Sequence, residues 1–258
     1  MKIALFSDIH GNPIALEAVI ADIGAMGGAE EYWVLGDMVA LGYDAVGAAK
    51  MIMELPKTRF VRGNTDRYVS AGDLPWKLED VQQKPELLAD FLSLARSIAW
   101  TQGVLVASGT LKWFAQLPLE QRLILPDGTR LLGVHASPGM DDGPGIHPRQ
   151  SDEELRNILA GCSADLVVAG HIHVVMDRKV DNIRVVNLGS VGNPATPDLR
   201  ASYAMLEADS TGYQLEIRQV EYDLEAVIAE IQRVEHPASD YLMQLASGQR
   251  LSKYRDRE

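Results

Sequence analysis

Short apolar runs bounded by Gly, Asn or Asp recur along the chain, and runs of four or five such residues are typical of buried β-strands. Between the first three runs, apolar residues repeat at the spacing of amphipathic helices. The resulting β-α-β-α-β order predicts a parallel sheet with right-handed crossovers. The predicted strands are Ile3–Ser7, Tyr32–Leu35, Thr58–Val61, Leu131–Val134, Leu166–Ala169 and Val185–Leu188.

The second half of the chain changes from this order to antiparallel hairpins. A Pro126-Asp127-Gly128 turn separates the first pair of hairpin strands, and Asp181-Asn182 separates the second. Two further strands precede a helix predicted over Asp223–Glu235. The sequence therefore predicts an α/β protein with mixed sheets. The hairpin strands are Arg122–Leu125, Arg130–Val134, Val174–Val180, Ile183–Val186, Ala201–Leu206 and Gln214–Tyr222.

Residues 1–246 are predicted to form one domain, because no linker composition interrupts the strands. The stretch 67–117 is helical by pattern and interrupts the strand order. It is either an insertion that caps a site or an additional packing layer. Residues 247–258 are polar and charged, which predicts an exposed C-terminal tail.

The composition narrows the classes of function. A formal net charge of -12 argues against a general nucleic-acid or anionic-membrane surface, which would need a basic patch. The single cysteine, Cys162, excludes an intramolecular disulfide and is interpreted as a small core thiol in a reducing compartment. The first residues lack a signal-peptide pattern, and no apolar run reaches the roughly 20 residues of a membrane span. We therefore expect a soluble, cytoplasmic protein.

Acidic, amide and imidazole side chains follow the predicted strands at the points where those strands end. Because open α/β sheets bind ligands at the carboxyl ends of their strands, these side chains are candidates for one site. Each motif is weak alone, but their recurrence after successive strands is difficult to explain by turns. The motifs are Asp8-Ile9-His10, Gly36-Asp37, Gly63-Asn64-Thr65-Asp66, His135 and Gly170-His171-Ile172-His173.

Seven of these residues are enough to hold two cations that share one bridging carboxylate. A mixed set of imidazole and oxygen ligands suits first-row ions and disfavours calcium or a thiolate zinc site. We predict two divalent ions, with manganese preferred and iron, zinc, nickel or cobalt as alternatives. The predicted metal ligands are Asp8, His10, Asp37, Asn64, His135, His171 and His173.

These five blocks, in this order, resemble those of the calcineurin-like metallophosphoesterases. The segments Asn187–Pro194 and Arg200–Ala204 are also similar to the prokaryotic phosphodiesterase branch of that family. The resemblance implies a four-layer α/β/β/α sandwich of two mixed sheets with a helical insertion. It also implies a bridging hydroxide as the nucleophile, with Asp37 as the bridging ligand. By the same resemblance, Asp8, His10, Asp37 and His173 hold one ion, and Asp37, Asn64, His135 and His171 hold the other.

Many members of that family carry a histidine after the Gly-Asn pair, where this chain has Thr65. A threonine hydroxyl is no acid at neutral pH, and general acid catalysis is typically worth about 10²–10⁴-fold. Diesters or esters with good leaving groups are therefore favoured over protein phosphates. His147 and Asp66 are alternative proton donors, although Asp66 is expected rather to orient His10 or the Asn64 loop.

The remaining site predictions concern substrate contacts. The predicted catalytic residues are Asp37, Asn64, His135 and Asp66. The predicted substrate contacts are Asn64, His135, Arg62 and His147, and further candidates for contact with phosphate are Arg149 and Arg200. The expected partner is a small phosphate ester, with nucleotide-like esters included, and a homodimer is the base-rate expectation. The alternative hypothesis is a catalytically weak or inactive scaffold or sensor of the same fold that binds a partner or nucleotide.

Overall fold

The computed structural model describes residues 1–247, so residues 248–258 of the predicted tail lie outside the described part. In that part, ten strands form two five-stranded sheets. The strands are β1 (Lys2–Phe6), β2 (Glu31–Val34), β3 (Thr58–Phe60), β4 (Glu120–Ile124), β5 (Arg130–Val134), β6 (Leu166–Ala169), β7 (Val175–Val180), β8 (Ile183–Leu188), β9 (Ala201–Asp209) and β10 (Gly212–Val220).

Both sheets are mixed, as the sequence predicts. The first has the order β10-β9-β1-β2-β3, in which β1, β2 and β3 are parallel and the β9–β10 hairpin is antiparallel to β1. The second has the order β4-β5-β6-β8-β7, with β5, β6 and β8 parallel and both edge strands antiparallel. The carboxyl ends of six parallel strands are therefore available to carry the site.

Nine α-helices are present in the described residues. They are α1 (Pro13–Ala25), α2 (Ala45–Glu54), α3 (Asn64–Ala71), α4 (Leu78–Gln83), α5 (Leu88–Ser108), α6 (Leu111–Phe114), α7 (Asp152–Ile158), α8 (Leu224–Arg233) and α9 (Ser239–Ala246). None of these helices combines the length and the apolar character that a membrane crossing requires.

Alternating side chains of β1 show how the layers form. Ile3 and Leu5 point to the core between the two sheets, whereas Ala4 and Phe6 point to the core under the helices. A third apolar cluster lies between the second sheet and α7. Because successive strand residues face opposite sides, a strand buried on both sides is apolar throughout. The result is the predicted four-layer α/β/β/α sandwich.

The insertion 67–117 is helical, as predicted, and consists of most of α3 and all of α4, α5 and α6. Its long helix α5 packs against α2 and α3 on the helical side of the first sheet. Leu94, Ile98 and Leu105 of α5 are buried in that core. The insertion is thus a packing layer, and its contribution to the site is described below.

Two helices were not predicted from the sequence. Helix α7 begins after Ser151, whose side chain accepts a hydrogen bond from Glu154 N at 3.2 Å, while the Glu154 carboxylate returns to Ser151 N at 2.7 Å. This capping box is a recognisable signal in the sequence. Helix α9 follows Pro237 and buries Tyr241 and Leu242, but at eight residues its apolar pattern is too short to identify alone.

Candidate metal centre

Most of the predicted ligands lie in loops just beyond the strand ends, and five of the seven have a backbone conformation that is rare for residues with a side chain. Strand β1 ends at Phe6, so Asp8 and His10 lie beyond the strand. Of nine non-glycine residues with positive φ among the described residues, five are predicted ligands. Such conformations cost about 1 kcal/mol or more and cluster at functional sites. The five are Asp8 (59°), His10 (49°), Asp37 (52°), His171 (69°) and His173 (60°).

Two glycines let the ligand loops approach one another. Gly36 has φ 89°, and a Cβ there would lie 2.6 Å from His135 Nδ1 and 2.7 Å from the Cα of Gly63. A Cβ on Gly63 would lie 2.9 Å from the carboxyl carbon of Asp37. Any side chain at either position would therefore separate the loops after β2 and β3.

The first group of ligands consists of Asp8, His10, Asp37 and His173, whose ligand atoms all lie within 4.8 Å of one another. His10 Nε2 lies 3.1 Å from His173 Nε2, and His173 Nε2 lies 2.9 Å from Asp8 Oδ1. His10 Nε2 is 3.7 Å from an oxygen of Asp37. All four residues are at most 6% exposed, so protein surrounds the group.

The second group of ligands consists of His135, Asn64 and His171, and it lies beside the other carboxylate oxygen of Asp37. His135 Nε2 is 3.4 Å from Asp37 Oδ1 and 3.1 Å from Asn64 Oδ1. His171 Nδ1 lies 3.0 Å from the same Asn64 oxygen. Asp37 therefore stands between the two groups, which is the position that the resemblance predicts for a bridging ligand.

Backbone carbonyls fix which nitrogen of each imidazole faces the site. His10 Nδ1 donates to Ala40 O at 2.9 Å, and His173 Nδ1 donates to Asn193 O. Because a carbonyl only accepts, Nδ1 carries the proton in the neutral form of each ring. The Nε2 atoms then carry the lone pairs, and they face each other at 3.1 Å.

The same rule applies to the second group of ligands. His135 Nδ1 donates to Leu35 O at 2.7 Å, so its Nε2 lone pair faces Asn64 Oδ1. His171 Nε2 donates to Gly143 O at 3.0 Å, so its Nδ1 lone pair faces the same oxygen. When the rings are neutral, as metal binding requires, four imidazole lone pairs thus point at each other or at oxygen acceptors, an arrangement that a cation stabilises.

The charges of the site also suit a cation. Burial would raise the pKa of Asp37, but the neighbouring His135 outweighs it and holds that pKa at about 2. Burial is likewise outweighed at Asp8, where His173 and His10 hold the pKa well below its usual value. Asp8 Oδ1 is buried and lies 2.9 Å from His173 Nε2. Two ionised, fully buried carboxylates require nearby positive charge, and the donor set fits divalent first-row ions.

Asp66 positions the ligand loops instead of facing the substrate. Its carboxylate accepts hydrogen bonds from the backbone N–H groups of Asp37 (2.9 Å), Met38 (3.0 Å) and Gly63 (2.9 Å). Burial, followed by the charge of Asp37, raises its pKa to about 7. Asp66 is fully buried and absent from the cavity wall, so the prediction that it protonates the leaving group is not supported. It holds the Asn64 loop, whereas Ala40 orients His10.

The end of β8 and the segment that follows it form hydrogen bonds to the ligand loops. Asn187 Nδ2 donates to Gly170 O at 2.7 Å, directly before His171. Ser190 Oγ donates to Asp8 O at 2.8 Å. This is the Asn187–Pro194 segment, and these bonds give a physical reason for its residue types.

A cavity of about 460 Å³ opens onto five of the seven predicted ligands. Asp8 and His135 are fully buried and do not line it, so the structure does not bring His135 to the wall as a substrate contact. His147, Arg149 and Thr65 line it, so they remain candidates for contact with a substrate. Arg62 does not line it and instead donates to Asp141 at 2.7 Å, which contradicts its predicted role. Arg200 is likewise absent from the wall, and its guanidinium pairs with Asp198.

An arginine that the sequence interpretation did not single out fastens the loop after His135. Arg67 Nε donates to Asp141 at 3.1 Å, and its Nη2 donates to Asp142 at 3.1 Å. Asp142 Oδ1 accepts from the N–H of Gly143 at 2.7 Å, and the carbonyl of Gly143 orients His171. No sequence motif marks this contact, because the partners are more than 70 residues apart.

We expect Arg67→Ala to weaken metal binding by about 10–100-fold, the usual effect of removing a group that orients a ligand. The loss frees the Gly143 loop, and the His171 ring with it. Calorimetric titration of metal into stripped protein measures the change. Arg218→Ala is the matched control, because Arg218 and Arg67 side chains are 25% and 23% exposed and both pair with aspartate. Equal affinities in the two variants would contradict the proposed positioning.

Comparison with known proteins agrees with the fold. The sequence model of one protein family, the calcineurin-like phosphoesterase superfamily domain, matches residues 1–211. The chain belongs to this superfamily, which confirms the resemblance inferred from the motifs. The chain is also 28% identical over 247 residues to an uncharacterized protein of Methanocaldococcus jannaschii, covering 89% of this chain and 91% of that protein.

Two crystal structures share the fold over nearly the whole chain. A metallophosphoesterase from Sphaerobacter thermophilus is 25% identical, with a TM-score of 0.73 and coverage of 96% of this chain and 99% of that one. A hypothetical protein from Pyrococcus horikoshii is 20% identical, with a TM-score of 0.80 and coverage of 97% and 99%. The second likeness shows the fold alone.

Proposed function

We propose that this protein is a divalent-metal-dependent phosphoesterase that hydrolyses small phosphodiesters, or monoesters with good leaving groups. The observation that carries the proposal is the convergence of four imidazoles, two buried carboxylates and the amide oxygen of Asn64 at the base of one cavity. A scaffold that only binds a partner through its surface has no need of this arrangement. The arrangement also includes strained backbone at five of the predicted ligands.

In this proposal Asp8, His10, Asp37 and His173 hold one ion, and Asp37, Asn64, His135 and His171 hold the other. Bound divalent ions, with manganese as our first choice, supply Lewis-acid stabilisation of phosphoryl oxygens and lower the pKa of water. The protein's own residues supply the geometry: backbone carbonyls fix the four imidazole tautomers, and Thr65 N donates to Asp37 Oδ1 at 2.9 Å. Overall, water oxygen joins phosphorus and the bond to the leaving oxygen breaks.

The preference for good leaving groups follows from the residues beside the ligands. The hydroxyl of Thr65 lies in the cavity wall, where its oxygen is buried and makes no hydrogen bond. Burial and the charge of Arg149 lower the pKa of His147, so this imidazole is neutral at pH 7. Neither group is a strong proton donor at neutral pH, which favours leaving groups that depart as anions.

The direct test is an assay of protein stripped of metal and reloaded with manganese, with iron, zinc, nickel and cobalt tested in parallel. Bis-p-nitrophenyl phosphate and p-nitrophenyl phosphate are compared at equal concentrations. We expect hydrolysis that depends on added metal, with the diester at least as good a substrate as the monoester. Absence of metal-dependent hydrolysis of either ester would overturn the proposal in favour of the scaffold or sensor.

We expect Thr65→His to accelerate hydrolysis of an alkyl ester such as glycerophosphate by about 10–100-fold, part of the usual range for a general acid. Hydrolysis of p-nitrophenyl phosphate should change little, because p-nitrophenolate departs without a proton. Thr65→Gln is the control, since it adds similar bulk without a titratable group. A larger gain on the aryl ester than on the alkyl ester would refute the leaving-group argument.

A further inference from the structure

The cavity has a part that the metal chemistry does not use. Beside the ligands, its surface includes an apolar wall formed by Leu41, Tyr68, Leu94, Tyr241 and Leu245. The last four are 2–5% exposed and belong to the hydrophobic core, so they are held in place by packing. At about 460 Å³, the cavity is large enough for a phosphate and one organic group.

Four separate segments build this wall, and Leu41 comes from the loop after β2. Tyr68 comes from α3, four residues after the ligand Asn64, and Leu94 comes from α5 in the insertion. Tyr241 and Leu245 come from α9, near the end of the described residues. The insertion therefore contributes to the cavity as well as to packing, and α9 closes the same side.

The charge of the cavity limits what this wall accepts. Arg149 is the one arginine or lysine among the described residues that line it, and Glu154 lines it as well. A substrate with several phosphates would bring repeated negative charge to a protein of net charge -12 with little to balance it. An uncharged apolar group instead removes its own surface and that of the wall from water.

We propose that the apolar wall binds an uncharged apolar group of the substrate, preferably aromatic, so that the substrate is a small phosphoester bearing such a group beside its phosphate. This inference rests on the proposed function, because it names the group that the substrate carries to the metal site. Burial of an aromatic ring in place of a methyl group is worth about 10–100-fold in binding.

The test compares methyl p-nitrophenyl phosphate with phenyl p-nitrophenyl phosphate on the manganese-loaded protein. Both release p-nitrophenolate, so they differ in the group that stays on phosphorus. We expect KM to be about 10–100-fold lower for the phenyl ester. Calorimetric binding of phenylphosphonate and methylphosphonate, which are not hydrolysed, should show the same preference.

Leu245→Ala should reduce the phenyl preference about fivefold or more, since it removes part of the wall. Leu242→Ala is the matched control, because Leu242 lies on the same helix and is 2% exposed but does not line the cavity. Leu245→Met, which conserves volume, should restore the preference if Leu245→Ala folds poorly.

Equal KM values for the two esters together with equal affinities for the two phosphonates would overturn the inference. An equal loss of preference in the Leu245→Ala and Leu242→Ala variants would overturn it as well. Failure of the proposed function gives a different result: neither ester is hydrolysed, while phenylphosphonate still binds more tightly than methylphosphonate. That last outcome would support the apolar wall as a binding site without catalysis.

Discussion

Asp37→Asn is expected to lower metal-dependent hydrolysis by at least about 1,000-fold, since several kcal/mol of electrostatic stabilisation depends on the ions it holds. Its two carboxylate oxygens face different histidines, His135 at 3.4 Å and His10 at 3.7 Å. An amide removes the negative charge from both groups of ligands with little change in shape. Steady-state rates on bis-p-nitrophenyl phosphate and metal content by mass spectrometry measure the result.

The control for this prediction is Asp177→Asn, which makes the same chemical change on the exposed edge strand β7. Asp177 pairs with Arg184 at 2.7 Å and lies outside the cavity wall. We expect this variant to keep the activity and the metal content of the original protein. Activity of Asp37→Asn within tenfold of the control would contradict a shared ligand at this position.

Removal of metal by a chelator is expected to abolish hydrolysis and to lower the melting temperature by about 5–10 °C. A ligand present at about 100 times its Kd stabilises by about 2.7 kcal/mol, and each kcal/mol is worth about 2–4 °C at this chain length. The physical cause is the close approach of His10 Nε2 and His173 Nε2, 3.1 Å apart, which a cation relieves. Scanning calorimetry before and after readdition of manganese measures the shift.

His135→Ala provides the comparison for the stripped protein. This variant removes one imidazole from the second group, so addition of metal should raise its melting temperature less than that of the original protein. Identical melting temperatures of the original protein with and without metal would contradict a structural contribution of the ions.

Much of the fold was predictable because it depends on local pattern. The predicted strands agree with the observed ones to within about two residues at most ends, as expected for boundaries read from sequence. Buried parallel strands are continuous apolar runs, and hairpins carry turn residues, so both are visible along the chain. Helices α7 and α9 were missed because seven or eight residues give too few repeats of the helical period.

The roles of Asp66, Arg62 and His10 were harder to predict than their positions. The sequence suggested that Asp66 orients His10 or the Asn64 loop, or donates a proton. Its carboxylate accepts from three backbone N–H groups and holds the Asn64 loop. Arg62 was expected to contact phosphate, yet its guanidinium pairs with Asp141. Each outcome depends on a partner that is distant in the chain or a main-chain group, and local motifs do not specify such partners.

The sequence by itself predicted the donor set: seven side chains with oxygen or nitrogen donors placed after parallel strands. That follows from the topology of parallel sheets, in which strand ends converge whatever the intervening chain. Only the tertiary structure decided which nitrogen of each histidine faces the site, because the carbonyls of Leu35, Ala40, Gly143 and Asn193 make that choice from elsewhere in the chain. It alone also joined α5 and α9 into one apolar wall, since packing between distant helices leaves no local pattern in the sequence.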